Sequence, residues 1–185
     1  MALSNQAKIL IVVLIVSTTY IYSKVTKDFY DQFTKTQTPI LTTLPKFGFK
    51  ELNSTKEEFS QFIFKDPFKG IFVHFWGTWC SPCEAEFPEL IKFAKLTENE
   101  SVKFLLIAIN DKSKDLEKFL KKFQPLPSNI VIGMDDGKSM DLFGTSKVPE
   151  TYLFDGQKNF VTKFIGPQDW EAPHFIDQTK SNLKL

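Results

Sequence analysis

The chain has 185 residues, with 23 basic against 22 acidic side chains, a net charge of +1 and no arginine. Phosphate recognition draws on clustered basic residues and above all on the guanidinium fork, so nucleic acid is set aside as a partner. Two cysteines are too few for a disulfide-rich scaffold, and the ~140 residues left once an N-terminal segment is removed suit one compact domain.

Residues 1–22 open on a short polar start with Lys8, followed by the apolar run Ile9 to Val16 and then Ser17 to Tyr22. Counted from Ala7 to Tyr22, the segment is somewhat shorter than the ~20 residues that span a bilayer. It reads as a signal anchor or a cleavable signal peptide. No small-x-small cleavage site comes after it and no cysteine is available for lipidation, which favours an anchor through residues 7–22 with the tyrosines at the interface. A segment of this kind exports the polypeptide on its C-terminal side, so the chain is expected to be single-pass with its domain on the extracytoplasmic side of the membrane. Residues 23–44 are polar, threonine-rich and without periodicity, and read as a linker. The domain is expected over 45–185.

Within it, Phe47 to Leu52 predicts a short strand, and Phe59, Phe62 and Ile63 predict a helix over Thr55 to Phe64. Gly70 opens the run Ile71-Phe72-Val73-His74-Phe75-Trp76, too apolar on both faces for an edge strand and therefore a buried central one. Phe87, Leu90, Ile91 and Ala94 fall at i, i+3, i+4 and i+7, the stripe of a helix lying on a sheet. Val102 to Asn110 predicts a second buried strand. Leu116, Phe119, Leu120 and Phe123 mark a helix that Pro125 stops. Ile130 to Met134 predicts a strand and Lys138 to Phe143 a short helix. Thr151 to Asp155 and Phe160 to Ile165 flank a Gly156 to Asn159 turn as a hairpin. Trp170 to Leu183 is the closing helix, with Pro173 near its start or breaking it. Alternating strands and helices ending in a hairpin predict an α/β fold, a central mixed sheet flanked by helices on both faces. The 20 phenylalanines are read as core packing.

The two cysteines, Cys80 and Cys83, lie between the expected central strand and the amphipathic helix. That places Cys80 at a helix N-terminus, where unpaired N–H groups and the helix dipole favour a thiolate. Cys80 is the expected nucleophile. Cys83, three residues on, suits a shielded resolving thiol, and Pro82 fits the first helical turn. A structural zinc site needs four ligands, and two cysteines with His74 and His174 would have to supply them all, with His74 expected inside a strand. No metal is expected, and an inert pair of structural thiols is the other reading.

Phe75-Trp76-Gly77-Thr78-Trp79-Cys80-Ser81-Pro82-Cys83 resembles the active-site stretch of the thioredoxin superfamily. Trp76 to Cys80 with Glu86-Phe87-Pro88 is similar to its membrane-anchored TlpA/ResA/DsbE branch, and Val148-Pro149-Glu150-Thr151-Tyr152-Leu153-Phe154-Asp155 to the cis-proline segment of that branch, particularly its cytochrome c maturation members. Pro88 matches the proline that kinks the active-site helix. The resemblance covers Pro45 to Leu183 and implies a thioredoxin-like fold with a TlpA-type central insert between Asn110 and Phe143. It implies that Pro149 is cis beside the Cys80 sulfur, against an ordinary turn otherwise. The backbone of Val148 would pair with an extended substrate, and Trp79 would cover one side of the site, unless it is a core aromatic. Glu86 is implied as a carboxylate that tunes the cysteines, the alternative being a solvated helix acid; Glu84 and Glu89 are taken as solvated. His74 departs from the acid or amide of the family, and is either a neutral base for Cys83 or, preferably, a core histidine satisfied by backbone. His174 is expected on the surface.

Acidic Glu84, Glu86 and Glu89 oppose a nearby thiolate, and no lysine or histidine between the cysteines offsets them, which points to a reductant. The expected enzyme is a membrane-tethered thiol:disulfide oxidoreductase, a protein-disulfide reductase. Its partners would be protein dithiol/disulfide substrates, with apocytochrome c as the candidate, and a membrane thiol reductant. No cofactor is expected beyond the redox-active Cys80–Cys83 disulfide. The alternatives are a disulfide oxidant or isomerase for exported proteins and a non-catalytic thioredoxin-like binding module. A peroxidase lacks support, because no arginine is available to bind peroxide.

Overall fold

The computed structural model describes residue 6 and residues 16–25, 41–52, 67–135 and 137–185, with 57–59 as backbone. The chain divides into two units, Met1–Thr38 and Pro39–Leu185. In the first, residues 16–25 are helical and exposed, and the Thr19 and Ser23 hydroxyls donate to the carbonyls of Val16 and Tyr20 at 2.9 and 2.8 Å. Residues 7–15 of the expected membrane segment lie outside the described residues. Among those described, no helix is long and apolar enough to cross a membrane.

The second unit is built on a seven-stranded sheet of order β2-β1-β5-β4-β3-β6-β7. The strands are β1 (Gly48–Glu51), β2 (Glu57–Phe59), β3 (Gly70–Trp76), β4 (Val102–Ile109), β5 (Ile130–Asp135), β6 (Glu150–Asp155) and β7 (Phe160–Ile165). The helices are α1 (Ser81–Leu96), α2 (Ser113–Leu120), α3 (Lys138–Phe143) and α4 (Pro173–Leu183). β3, β4 and β5 run parallel, and β6, β7, β1 and β2 are added antiparallel. Every residue of β3 is buried, as its two-faced apolar run requires.

Alternation along β3 divides the core. Phe72 and Trp76 face α1, α2 and α4, whose Phe87, Leu90, Phe93, Leu116, Phe119 and Phe175 complete that layer. Ile71, Val73 and Phe75 face the opposite side, covered by Phe47, Phe49 and Phe143 of α3. Edge-to-face pairs such as Phe72–Phe93 and Phe93–Phe175 use the phenylalanine excess, each adding about 0.5–1.5 kcal/mol beyond area burial. Gly133 of β5 is required by close approach: a Cβ there would lie 2.4 Å from the Phe49 ring.

Two elements differ from expectation. The helix expected over Thr55 to Phe64 is a strand at Glu57–Phe59, antiparallel to Gly48–Lys50 of β1; the remaining residues of that span, 55–56 and 60–64, lie outside the described ones. The open edge of β1 offers backbone partners, and such tertiary pairing overrides a short helical spacing. The closing helix starts at Pro173 rather than Trp170, with the proline in the first turn, where its missing N–H costs nothing. Ahead of β1, Leu44 N donates to Lys158 O at 2.8 Å and Phe160 N to Thr42 O at 2.9 Å, so residues 42–44 bond to the β6–β7 hairpin.

Candidate active site

Strand directions gather the site. β3 and β4 are parallel, so the residues just past their C-terminal ends share one edge of the sheet. β6 is antiparallel to β3 with Phe75 opposite Glu150, so the segment entering β6 arrives at that same edge. Three stretches far apart in sequence therefore meet: 77–83, 110–111 and 148–149.

Cys80 is the N-cap of α1, and its Sγ accepts the Cys83 backbone N–H at 3.3 Å. The pair is a disulfide with Cα atoms 5.3 Å apart. Cys80 keeps 6% exposure while Cys83 has none, so a partner can approach only the first sulfur. Pro82 lies in the first helical turn. Pro88 lies inside the helix, where it removes the N–H that would bond the Glu84 carbonyl.

The Val148–Pro149 peptide is cis, and the Val148 carbonyl oxygen lies 3.8 Å from Cys80 Sγ. Pro149 is buried. Trp79 is 60% exposed, so it is not a core aromatic; its Nε1–H donates to the Ile109 carbonyl at 2.9 Å. This fold-back needs Gly77, because a Cβ there would lie 2.6 Å from the indole nitrogen.

Asp111 was not singled out by the sequence. Its carboxylate accepts the Thr78 backbone N–H at 2.6 Å and the Thr78 hydroxyl at 2.8 Å, tying the cysteine loop to the end of β4. Asn110 reaches it through a left-handed turn at φ 50°, which asparagine tolerates. The available signal was its place just past the end of the second strand expected to be buried.

Glu86 lies one helical turn beyond Cys83 and is 5% exposed, so it is not a solvated helix acid. Its Oε2 accepts the backbone N–H of Gln168 and the indole N–H of Trp170, both at 2.8 Å. Burial pushes its carboxyl up to about 7; the Gln168 and Trp170 donors pull the other way, and Glu89 adds to the rise. Trp170 and Gln168 carry no sequence signal for this role, since both belong to the turn before α4. Glu84 is exposed, as expected, and pairs with Lys122 at 3.2 Å.

His74 is a core histidine at 1% exposure, but the bond to its Nδ1 comes from a side chain rather than backbone, the Thr151 hydroxyl at 2.8 Å, and its Nε2 has no hydrogen-bond partner among the described residues. Nε2 faces Glu86 Oε1 at 3.7 Å. Burial holds the imidazole down to about 3, so it is neutral. His174 lies on the surface. Among the described residues no group of histidine, cysteine and carboxylate side chains could hold a metal ion.

A thioredoxin-like sheet that sets one reachable sulfur of a Cys-x-x-Cys disulfide beside a cis-proline, with the second sulfur sealed behind it, defines a thiol-disulfide oxidoreductase. The AhpC/TSA family model matches residues 40–163, and the chain belongs to that family. The thiol-disulfide oxidoreductase ResA of Geobacillus thermodenitrificans is 30% identical over 131 residues, 71% of each chain. Among solved structures, a thiol:disulfide interchange protein of the thioredoxin family from Chlorobium tepidum aligns with TM-score 0.61 at 22% identity, covering 77% of this chain and 97% of that one. StoA from Bacillus subtilis aligns with TM-score 0.55 at 20% identity, covering 75% and 96%. The two structural likenesses bear on the fold.

Proposed function

We propose that the protein is a membrane-tethered reductant of disulfides in exported proteins, with apocytochrome c before haem attachment as the candidate substrate. In this reading Cys80 attacks a substrate disulfide and forms a mixed disulfide, releasing one substrate thiolate. Cys83 then attacks Cys80 Sγ, closing the internal disulfide and releasing the second substrate thiolate, so that two electrons pass to the substrate. A thiol reductant in the membrane returns the pair to the dithiol. The Val148 backbone beside cis-Pro149 would align the substrate chain, and Trp79 would cover it on one side. Residues 7–22 would hold the domain at the extracytoplasmic face of the bacterial cytoplasmic membrane.

The observation that carries the direction of the reaction is the buried Glu86, one turn behind the sealed Cys83. A carboxylate there disfavours thiolate, so the dithiol gains little from ionisation and gives up its electrons more readily. Glu86 therefore tunes the cysteine pair. The test is the equilibrium potential of the Cys80–Cys83 couple against glutathione. A value near that of thioredoxin, about −270 mV, is expected; one near that of a strong oxidant, about −120 mV, would reassign the protein to disulfide formation.

A further inference from the structure

Two buried polar atoms face each other without a hydrogen-bond partner: Glu86 Oε1 and His74 Nε2, 3.7 Å apart. The other atom of each group is committed. Because Glu86 Oε2 already accepts two N–H donors, a proton on this carboxyl group sits on Oε1. His74 Nδ1 is bonded to the hydroxyl of Thr151, its cross-strand neighbour on β6. Among the described residues that hydroxyl has no other hydrogen-bond partner. A buried hydroxyl hydrogen with no acceptor is costly, so the hydroxyl donates to Nδ1 and the neutral imidazole carries its proton on Nε2, aimed at Glu86.

This arrangement suits only the ionised carboxylate. If Oε1 takes a proton, two hydrogens confront each other in a closed site. The confrontation is relieved when the imidazole moves its proton to Nδ1, the Thr151 hydroxyl turns to accept it, and Nε2 receives the Glu86 proton in a hydrogen bond. We propose that His74 and Thr151 are positioning residues for Glu86, coupled so that protonation of Glu86 switches His74 from the Nε2–H to the Nδ1–H tautomer. One proton is taken up in all. It resides on Glu86 Oε1, and the imidazole stays neutral.

The surroundings leave this pair as the local titrating unit. On α1 the neighbours are Cys83 one turn back and Glu89 one turn on, the latter raising the Glu86 value. From the turn before α4, Asp169 and Glu171 are exposed, and Glu171 is paired with Lys92 at 2.8 Å. Glu150 of β6 lies on the opposite face of the sheet by alternation with Thr151, and its partner Lys163 of β7, in register with Tyr152, lies on that face too. Leu106 of β4, beside His74, is apolar.

The inference rests on the reading that Glu86 tunes the cysteines, and the two are tested separately. The full chain in detergent, with 15N-labelled histidine and 13C-labelled glutamate carboxyl groups, is titrated by NMR from about pH 5 to about pH 9, bracketing the Glu86 value of about 7. His74→Asn assigns the His74 signals against those of His174. The expected result is a His74 tautomer change that coincides with the Glu86 titration and vanishes in Glu86→Gln. Thr151→Val removes the donor that favours Nε2–H and should move the Glu86 inflection upward by up to about one pH unit. A single His74 tautomer maintained while Glu86 titrates would overturn the coupling, whatever the cysteines do. A tautomer that follows Glu86 while alkylation of the reduced thiols ignores it would uphold the coupling and remove Glu86 from tuning the pair.

Discussion

The indole N–H of Trp170 reaches across 84 residues of sequence to donate to Glu86 Oε2 at 2.8 Å. Together with the Gln168 N–H it gives a buried carboxyl group two fixed donors, yet burial still dominates and holds that group near neutrality. Directly in front of it lies an imidazole that burial keeps neutral. The two groups therefore act on stability with opposite signs.

Glu86 titrates at 4.5 ordinarily and at about 7 in the fold, so between those values the folded chain binds one proton more and stability falls as pH rises. His74 titrates at 6.5 ordinarily and at about 3 in the fold, so between those values the unfolded chain binds one proton more and stability rises with pH. From about 4.5 to about 6.5 the two slopes cancel. Relative to the native chain, Glu86→Gln should expose the rise due to His74, and His74→Asn the fall due to Glu86. Each slope is at most about 1.4 kcal/mol per pH unit. Urea unfolding of the oxidised protein at several pH values reads this directly. Parallel pH profiles in all three proteins would show that neither group keeps its shifted value.

The loop ahead of Cys80 depends on contacts that a single methyl group or carboxylate controls. Asp111→Ala removes both anchors of Thr78 and should cost about 1–3 kcal/mol, because a part-buried N–H loses a charged acceptor. Gly77→Ala should displace the Trp79 indole from the Ile109 carbonyl, since the new methyl occupies its place. Both variants should reduce a disulfide-containing peptide several-fold more slowly than the native chain. Native rates in both would mean that the loop's geometry does not matter for attack by Cys80.

Legibility depended on range along the chain. β3 and the stripe of α1 were readable because seven buried residues in a row and an i, i+3, i+4, i+7 spacing each express one local geometry. Cys80 at the helix start came from where those two elements meet. Pro149 came from resemblance, since nothing local in Val148-Pro149 distinguishes a cis from a trans bond. The roles of Asp111, Trp170 and Thr151 were out of reach, even with Asp111 visibly just past a buried strand, because they come from strand adjacency and from a turn folding back onto α1. The burial of Glu86 was hidden for the same reason: on a helical wheel it lies beside Cys83, and only Trp170 and Gln168 close over it. The strand at Glu57–Phe59 was missed because its partner, β1, supplies what the local sequence does not.

The tethering reading makes a separate prediction. The full chain should fractionate with membranes, and residues from about 40 onward should be open to protease only from the non-cytoplasmic side, because the apolar run at residues 9–16 precedes an exported domain. Recovery of the full-length chain in the cytosol would overturn it.

Mechanism and substrate can be read in one trapping experiment. Disulfide exchange passes through a mixed disulfide, and the second cysteine normally resolves it. Cys83 is fully buried and bonded to Cys80, so it can displace a partner from Cys80 but cannot readily capture one itself. Cys83→Ser should therefore accumulate reducible adducts in cells, while Cys80→Ser, left with the sealed thiol, should accumulate roughly tenfold fewer or none. If exported cytochromes are the substrates, the trapped partners will carry a Cys-x-x-Cys-His segment. A broad set of exported proteins would favour the oxidant. Cys83→Ser that is folded and exported yet forms no adducts would remove the nucleophile role from Cys80, because Cys80 would then be the chain's one remaining thiol.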